Sequence, residues 1–165
     1  MDCFLGEFKL GTNIPGKCMA SKIEDCVILY LEDDDPTAYL FQIAFQEAGF
    51  SPRLVRVSDQ HQATAFLYQM GIYSDARKPD LIILDLNLPM GNGLEVLAEV
   101  KGSPNFSEIP TYVFTSSHNP RDHAMAISLG ANGYLSKGNS LNDFVTAAKT
   151  VCECLTNGSG QMDLC

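Results

Sequence analysis

The fold of this chain is decided by one short stretch in its middle, Pro79-Asp80-Leu81-Ile82-Ile83-Leu84-Asp85-Leu86-Asn87-Leu88-Pro89. Its aliphatic run is typical of a strand that is buried on both faces, as strands of a parallel sheet are. The run ends at the carboxylate of Asp85, and open α/β sheets bind their ligands beyond the carboxyl ends of their strands. Pro89 and the glycines at 91 and 93 then predict a loop that leads into a helix. One aspartate at a strand end is weak evidence for a site, so support must come from the rest of the chain.

The composition is that of a globular protein with an acidic balance. The chain has 165 residues, which favours one domain, and its formal net charge of −9 argues against a nucleic-acid partner, which would require a basic patch. We find neither an apolar run of about 18 residues, as a membrane span needs, nor a signal sequence. The six cysteines show no metal-ligand spacing, which favours reduced thiols. We therefore expect a cytoplasmic protein that binds neither nucleic acid nor a membrane.

Strand and helix patterns alternate along most of the chain. Strands are predicted at 26–31, 54–57, 79–85, 111–114 and 133–136, and helices at about 37–48, 58–70, 93–100, 119–130 and 140–155. Strict alternation requires parallel strands, right-handed crossovers and helices on both faces of the sheet. We predict an α/β domain at 25–156, preceded by a poorly ordered leader at 1–24 and followed by a flexible tail at 157–165.

A run of four acidic residues follows the first predicted strand and ends at Pro36. We assign Asp35 as the N-cap of the next helix and Pro36 as its first residue, a common way for a helix to begin. The cap leaves three more acids at the end of a buried strand without an explanation. A bound divalent cation would supply one, because Mg²⁺ takes carboxylate oxygens as ligands and keeps positions for water and phosphate.

Chemically useful side chains follow four of the predicted strands, and parallel strands bring their carboxyl ends to one edge. Asp33 and Asp34 hold Mg²⁺ in this hypothesis, and Asp85 is a carboxylate nucleophile that can form an aspartyl phosphate. The cation and the ammonium of Lys137 neutralise charge on the transferring phosphoryl group. The hydroxyl of Thr115 can donate a hydrogen bond to a phosphoryl oxygen. Together these residues predict a phosphoryl-transfer site.

The segments from Leu86 to Leu97 and from Leu129 to Lys137 carry a specific resemblance to a known family. Over about residues 25–156 the chain resembles the receiver domain of two-component response regulators. The resemblance implies a flavodoxin-like, doubly wound five-stranded parallel sheet, (βα)5, with strand order 2-1-3-4-5. It also implies a phosphoacceptor protein, not an enzyme acting on a separate substrate, whose phosphoryl group comes from a sensor histidine kinase or a phosphotransfer protein.

The resemblance also implies the roles of the acidic residues. Asp85 matches the phosphoacceptor, Asp33 and Asp34 match the acidic pair of the Mg²⁺ site, and Asn87 matches the position whose backbone carbonyl completes that site. Glu32 adds a fourth acid to the run, so a shift by one residue would make Glu32 and Asp33 the metal pair. We favour Asp33 and Asp34.

The resemblance implies a switch as well. Thr115 matches the switch hydroxyl, Lys137 the lysine of the family, and Tyr134 the aromatic side chain that turns inward after phosphorylation. We expect Thr115 to move toward the phosphoryl group and Tyr134 to fill the space that it leaves. Gly138 departs from the family, which usually has a proline after the lysine with a cis bond. A non-proline cis bond costs about 3 kcal/mol, so we expect a trans bond here and a more loosely held Lys137.

The helix and loop before Pro79, and the lack of an output domain in the sequence, are similar to single-domain regulators that partner bacterial phytochrome-type histidine kinases. Two alternatives remain. A haloacid-dehalogenase-type phosphatase would need a second aspartate at the position of Asn87, which argues against it. A receiver-shaped scaffold that takes no phosphate is supported only by Gly138.

The last predicted helix has an unusually wide apolar arc. Its core stripe is widened by Ala147 and Cys154 to roughly half the circumference, more than packing on one sheet face usually needs. We therefore predict a homodimer or partner contact through the last strand and the last helix, with a margin of the core as the alternative.

Overall fold

The computed structural model describes residues 25–157, which form one parallel sheet with helices on both of its faces. The strands are β1 (Val27–Leu31), β2 (Arg53–Val57), β3 (Leu81–Leu84), β4 (Thr111–Thr115) and β5 (Gly133–Ser136). The helices are α1 (Asp35–Glu47), α2 (Gln60–Leu67), α3 (Gly93–Gly102), α4 (Pro120–Ser128) and α5 (Leu141–Asn157), with a 3₁₀ turn at Gly71–Tyr73. The predicted leader at 1–24, and the predicted tail from residue 158 onward, lie outside the described residues.

The strand order is β2-β1-β3-β4-β5, and every neighbouring pair is parallel. This confirms the predicted doubly wound, flavodoxin-like sheet. Because β1 and β3 are neighbours at its centre, the residues that follow them emerge side by side at the carboxyl edge. Within residues 25–157, none of the helices is both long enough and apolar enough to cross a lipid bilayer.

Strand residues alternate between two hydrophobic layers. On one face Ile28 and Tyr30 of β1 pack with α1 and α5, and on the other face Leu29 and Leu31 pack with α2, α3 and α4. Stacked and edge-on aromatic rings fill the first layer, with Phe41 lying 4.6 Å from Phe114 between ring centroids. Both faces of the central strands are therefore covered, which explains why β1 and β3 show no alternation of polar and apolar residues.

The wide apolar arc of α5 is accounted for by the chain's own core. Ala147 is 5% exposed and Cys154 is 7% exposed, so both residues lie against the sheet and not on an open surface. The hydroxyl of Tyr112 on β4 donates to the Cys154 sulfur over 2.6 Å. The arc therefore no longer argues for a homodimer, which stays a prediction without this support.

The first helix begins one residue earlier than the sequence suggested. Asp34 is the N-cap of α1, and its carboxylate accepts the backbone N–H of Thr37 at 2.9 Å. Asp35 is the first helical residue, with Pro36 behind it, and its carboxylate forms an ion pair with Arg56. The prediction of Asp35 as the cap was wrong. Asp34 is extended at φ −83° and ψ 112°, as a capping residue must be, and the chain has already turned into the helix at Asp35.

Candidate functional site

The carboxyl edge of the sheet gathers the charged residues that follow its strands. Glu32 comes directly after β1, Asp85 directly after β3, and Lys137 directly after β5, while Thr115 is the last residue of β4. The Lys137 ammonium donates to Asp85 Oδ2 at 2.6 Å and also to Glu32 Oε2. The sequence prediction that Asp85 and Lys137 meet at one edge therefore matches the geometry, and an open cleft of about 380 Å³ lies over them.

Three carboxylates converge at this edge in a way that suits a divalent cation. Glu32, Asp33 and Asp85 each offer an oxygen, and these oxygens lie within 4.8 Å of one another. Hard carboxylate oxygens are the ligands that Mg²⁺ prefers, and the open cleft leaves room for water and phosphate ligands. The residues present therefore fit the cation.

Asp34 lines the same cleft but does not belong to the converging set. Its carboxylate caps α1, and the hydrogen bonds from Thr37 hold the pKa of this carboxyl below its usual value. The cap fixes the direction of this carboxylate, and its oxygens are not among those that converge on the cation position. The geometry therefore favours Glu32 and Asp33 over the Asp33 and Asp34 pair preferred from the sequence.

Glu32 is buried, and protein donors surround its carboxylate. It is 1% exposed. Oε1 accepts the backbone N–H of Asp34 at 3.2 Å, and Oε2 accepts both the Tyr30 hydroxyl at 2.9 Å and the Lys137 ammonium. A buried carboxylate requires such partners because an unpaired charge away from water is costly. Burial, together with the nearby Glu32 charge, raises the pKa of Tyr30 far above its usual value, so its hydroxyl remains a donor.

Tyr30 is the residue of the site that sequence reasoning missed. It looked like one more apolar residue of a buried strand. A signal was present, because residues two apart on a strand share a face, and a tyrosine two positions before an acid can reach it. Strand β1 places both side chains on its α1 and α5 side.

Asp85 is held from both of its oxygens. Oδ1 accepts the backbone N–H of Asn87 at 3.0 Å, and Oδ2 accepts the ammonium of Lys137. Asp85 as a residue is 4% exposed and lines the cleft, so its remaining lone pairs face that cleft. The amide of Asn87 reaches across to Thr115 Oγ1 at 3.4 Å. Asn87 thus lies where the sequence expects it, while its role as a metal ligand stays a prediction.

A close approach at Gly93 sets the path of the loop that follows Asp85. A Cβ at Gly93 would overlap the carbonyl oxygen of Asp85 and lie 2.9 Å from the Cα of Leu86. Both neighbours are backbone atoms, so a side-chain rotation cannot relieve the overlap. The first turn of α3 can therefore pack against the segment that contains Asp85 and Leu86 only if residue 93 has no side chain.

We expect Gly93→Ala to lower the free energy of unfolding by about 3 kcal/mol, because overpacking against backbone forces the loop and the helix apart. Urea unfolding followed by circular dichroism measures the loss. The control is Gly102→Ala at the other end of α3, where a Cβ would meet no atom within 4 Å. There alanine favours the helix, and we expect no loss of stability. Equal effects of the two changes would contradict the packing argument.

Thr115 and Tyr134 are connected through Ser117. The buried Thr115 hydroxyl oxygen accepts the Ser117 N–H at 3.2 Å, and the Ser117 carbonyl accepts the Tyr134 hydroxyl at 3.2 Å. The Tyr134 ring is half-buried against His123, with 4.8 Å between ring centroids. Both residues of the predicted switch, Thr115 and Tyr134, are therefore hydrogen-bonded to the backbone of the same residue, Ser117.

Gly138 has a physical reason to be a glycine. A Cβ at this position would overlap the side chain of Asp143. That carboxylate accepts both the backbone N–H of Ser140 at 3.0 Å and its hydroxyl at 2.7 Å, which secures the start of α5. The peptide bond from Lys137 to Gly138 is trans, as the sequence predicts.

Comparison with known proteins agrees with this geometry. The sequence pattern of the response regulator receiver domain matches residues 28–149. Response regulator Rcp1 of Synechocystis sp. is 41% identical over 117 residues, which cover 71% of this chain and 80% of Rcp1.

Among solved structures, the phosphorylated cyanobacterial phytochrome response regulator RcpA has 35% sequence identity and a TM-score of 0.75, covering 82% of this chain and 96% of RcpA. The Mn²⁺-bound form of Rcp1 has 36% identity and a TM-score of 0.73, covering 81% of this chain and 96% of the other. The chain is thus similar to phytochrome response regulators in both sequence and structure. It belongs to the response regulator receiver domain family.

Proposed function

We propose that this chain is a phosphorylation-dependent signalling switch that accepts a phosphoryl group on Asp85. The observation that carries the proposal is the Lys137 ammonium lying 2.6 Å from the Asp85 carboxylate, beside the acidic cluster of Glu32 and Asp33. This arrangement supplies a nucleophile, a fixed cation and a place for a mobile cation at one strand edge. The relative RcpA, which is described in its phosphorylated form, supports the same chemistry.

The transfer begins at the Asp85 carboxylate. One of its oxygens attacks the phosphorus of a donor phosphohistidine, and a new P–O bond forms. The P–N bond to the donor imidazole breaks, and its electron pair stays on the nitrogen, which then takes up a proton. The Lys137 ammonium pairs with the Asp85 carboxylate before transfer and with the phosphoryl oxygens after it. The Thr115 hydroxyl donates a hydrogen bond to one of these oxygens.

Glu32, Asp33 and Asp85 would hold Mg²⁺, with the backbone carbonyl of Asn87 as a further ligand. When bound, Mg²⁺ neutralises negative charge that develops on the transferring phosphoryl group. The Mn²⁺-bound form of the relative Rcp1 supports a divalent cation at this site. The fold and the carboxylate set are thus consistent with metal-dependent phosphorylation.

The proposal is tested by incubating the protein with a small acyl phosphate and Mg²⁺, then measuring its intact mass. We expect a mass increase of one phosphoryl group, which peptide mapping assigns to the segment containing Asp85. With EDTA in place of Mg²⁺ we expect little or no adduct, because the charge on the phosphoryl group is then poorly neutralised. An unmodified protein with Mg²⁺ present would favour the phosphorylation-independent scaffold.

Replacing Asp34, which belongs to only one of the two possible metal pairs, distinguishes them, and replacing Asp33, which belongs to both, is the reference. We expect Asp33→Ala to weaken Mg²⁺ binding at least tenfold, because it removes a ligand from a site with few protein ligands. We expect Asp34→Ala to lower the melting temperature without Mg²⁺ while largely keeping the affinity, because it removes a cap. Calorimetric titration and thermal unfolding measure the two effects. A loss of affinity in Asp34→Ala as large as that in Asp33→Ala would restore Asp33 and Asp34 as the pair.

The phosphoryl group would act through the connection between Thr115 and Tyr134. When the Thr115 hydroxyl turns to the phosphoryl group, it releases the N–H of Ser117, whose carbonyl holds the Tyr134 hydroxyl. The segment can then shift and allow Tyr134 to turn inward, a two-state change that is driven by a local charge. A structure with a bound phosphoryl mimic and an unmoved Tyr134 would count against this switch.

The phosphoryl donor would be a sensor histidine kinase of the phytochrome type, or a phosphotransfer protein that it serves. The similarity to phytochrome response regulators supports this choice of donor. Output would then come from binding to a partner. A homodimer through β5 and α5 is one form of that output, and mass measurement at high concentration, with and without phosphorylation, tests it.

A further inference from the structure

Tyr30 makes a contact that a core tyrosine does not need for packing. It is 0% exposed within the layer between the sheet and α1 and α5, where phenylalanine would pack equally well. Its hydroxyl lies 2.9 Å from Glu32 Oε2, and this hydrogen bond is buried. The hydroxyl therefore contacts the Glu32 carboxylate from the hydrophobic core, and Tyr30 does not line the open cleft.

The same Glu32 oxygen also accepts from the ammonium of Lys137, which is shared with Asp85. In the proposed function the phosphoryl group on Asp85 attracts that ammonium. Glu32 Oε2 then shares the Lys137 ammonium with a highly charged group, while the Glu32 carboxylate remains buried. Among residues 25–157, Glu32 is the acceptor that the Tyr30 hydroxyl contacts, so Tyr30 is the fixed partner of Glu32 through the cycle.

We propose that Tyr30 is a positioning residue that orients the Glu32 carboxylate for binding a divalent cation. The inference rests on the proposed function and deepens its metal site. Tyr30 fixes Oε2, and the neighbouring Asp34 N–H steadies Oε1 while leaving a lone pair on that oxygen for the cation. Partners that orient a metal ligand in this way raise the affinity of the site without touching the metal.

Tyr112 provides a matched control within the same layer. It lies on β4, which is separated from β1 by β3, and is also 0% exposed. Its hydroxyl donates to the sulfur of Cys154 and not to the acidic cluster. Tyr30→Phe and Tyr112→Phe therefore each remove one buried hydroxyl from a tyrosine of the same core, but only the first removes a partner of Glu32.

The test is a calorimetric titration of the full chain with Mn²⁺. Circular dichroism first shows that both variants are folded. We expect Tyr30→Phe to raise the dissociation constant about tenfold, as loss of a partner that orients a ligand does. We expect Tyr112→Phe to leave it within about twofold of the parent, since distant independent sites do not couple. An unchanged constant in Tyr30→Phe, or an equal rise in both variants, would overturn the inference.

A double-mutant cycle checks that Tyr30 acts through Glu32. In a Glu32→Ala background, we expect Tyr30→Phe to change the dissociation constant less than about twofold, because the oriented group is gone. A persisting tenfold effect would overturn the assignment. If the parent itself neither binds Mn²⁺ nor takes up phosphate, the proposed function fails along with this inference. A parent that does both, beside an unaffected Tyr30→Phe, removes the inference alone.

Discussion

We expect the Asp85→Asn variant to take up no phosphate from a small acyl phosphate in the presence of Mg²⁺. The amide has nearly the shape of the carboxylate and can still accept the backbone N–H of Asn87. It carries no charge and its oxygen is a poor nucleophile, so the P–O bond does not form. The intact mass of the variant is measured over the time in which the parent is fully modified, and we expect it to stay unchanged.

The control for this variant is Asp80→Asn, which makes the same chemical change at the opposite end of β3. Asp80 accepts the backbone N–H of Val27 at 2.8 Å, and an asparagine oxygen can replace that contact. We expect Asp80→Asn to be phosphorylated like the parent. Phosphorylation of Asp85→Asn at the parent's rate would show that another residue accepts the phosphoryl group and would remove Asp85 from the proposed mechanism.

The fold could be predicted because its signals are local and repeat along the chain. The aliphatic runs of β1 and β3 are buried on both faces, and alternation of strands and helices leaves few possible topologies. The strand order followed from the resemblance to receiver domains. The prediction that Asp85 and Lys137 meet at one edge needed only the rule that parallel strands end on the same side.

The details of the acidic run could not be predicted in the same way. Every residue from Glu32 to Asp35 can be a metal ligand by its chemistry, and each aspartate can also cap a helix. Which of them caps depends on the residue at which the backbone turns from extended to helical, and that turn is set by tertiary packing. Arg56 contributes, since its guanidinium donates to the Asp33 carbonyl at 2.7 Å and to the Glu32 carbonyl at 2.8 Å.

Gly138 shows a second limit of sequence reasoning. As a departure from the family's proline, Gly138 predicted a more loosely held Lys137. In three dimensions it makes room for Asp143, which secures the start of α5. The neighbouring Lys137 is held by its own contacts, because its backbone N–H donates to the Thr115 carbonyl at 2.7 Å and its ammonium lies between two carboxylates. A contact between residues five positions apart across a loop leaves no periodic pattern to detect.

Lys137→Met is expected to destabilise the protein in the absence of metal and to make its stability strongly dependent on Mg²⁺. The side chain of Lys137 is 11% exposed and separates Glu32 from Asp85, whose side chains are 1% and 5% exposed. Removing it leaves two buried carboxylates facing each other without a cation, and breaking a buried pair in this way costs about 3–5 kcal/mol. Methionine keeps most of the packing volume, so the loss reports the charge.

Urea unfolding in EDTA and in saturating Mg²⁺ measures this effect, because a cation that binds only the folded state stabilises it by an amount that grows with the logarithm of its affinity. We expect Mg²⁺ to recover more stability in Lys137→Met than it adds to the parent, since the variant site is more negative. Lys101→Met is the control, because within residues 25–157 the Lys101 ammonium donates to neutral oxygens, those of Ser107, Ile109 and Asn132, at 2.8–3.0 Å. We expect the free energy of unfolding of Lys101→Met to fall by the same amount with and without Mg²⁺. If Mg²⁺ raised the free energy of unfolding by the same amount in both variants, Lys137 would not balance the charge of the acidic cluster. The proposed role of Lys137 in phosphoryl transfer would then lose its physical basis.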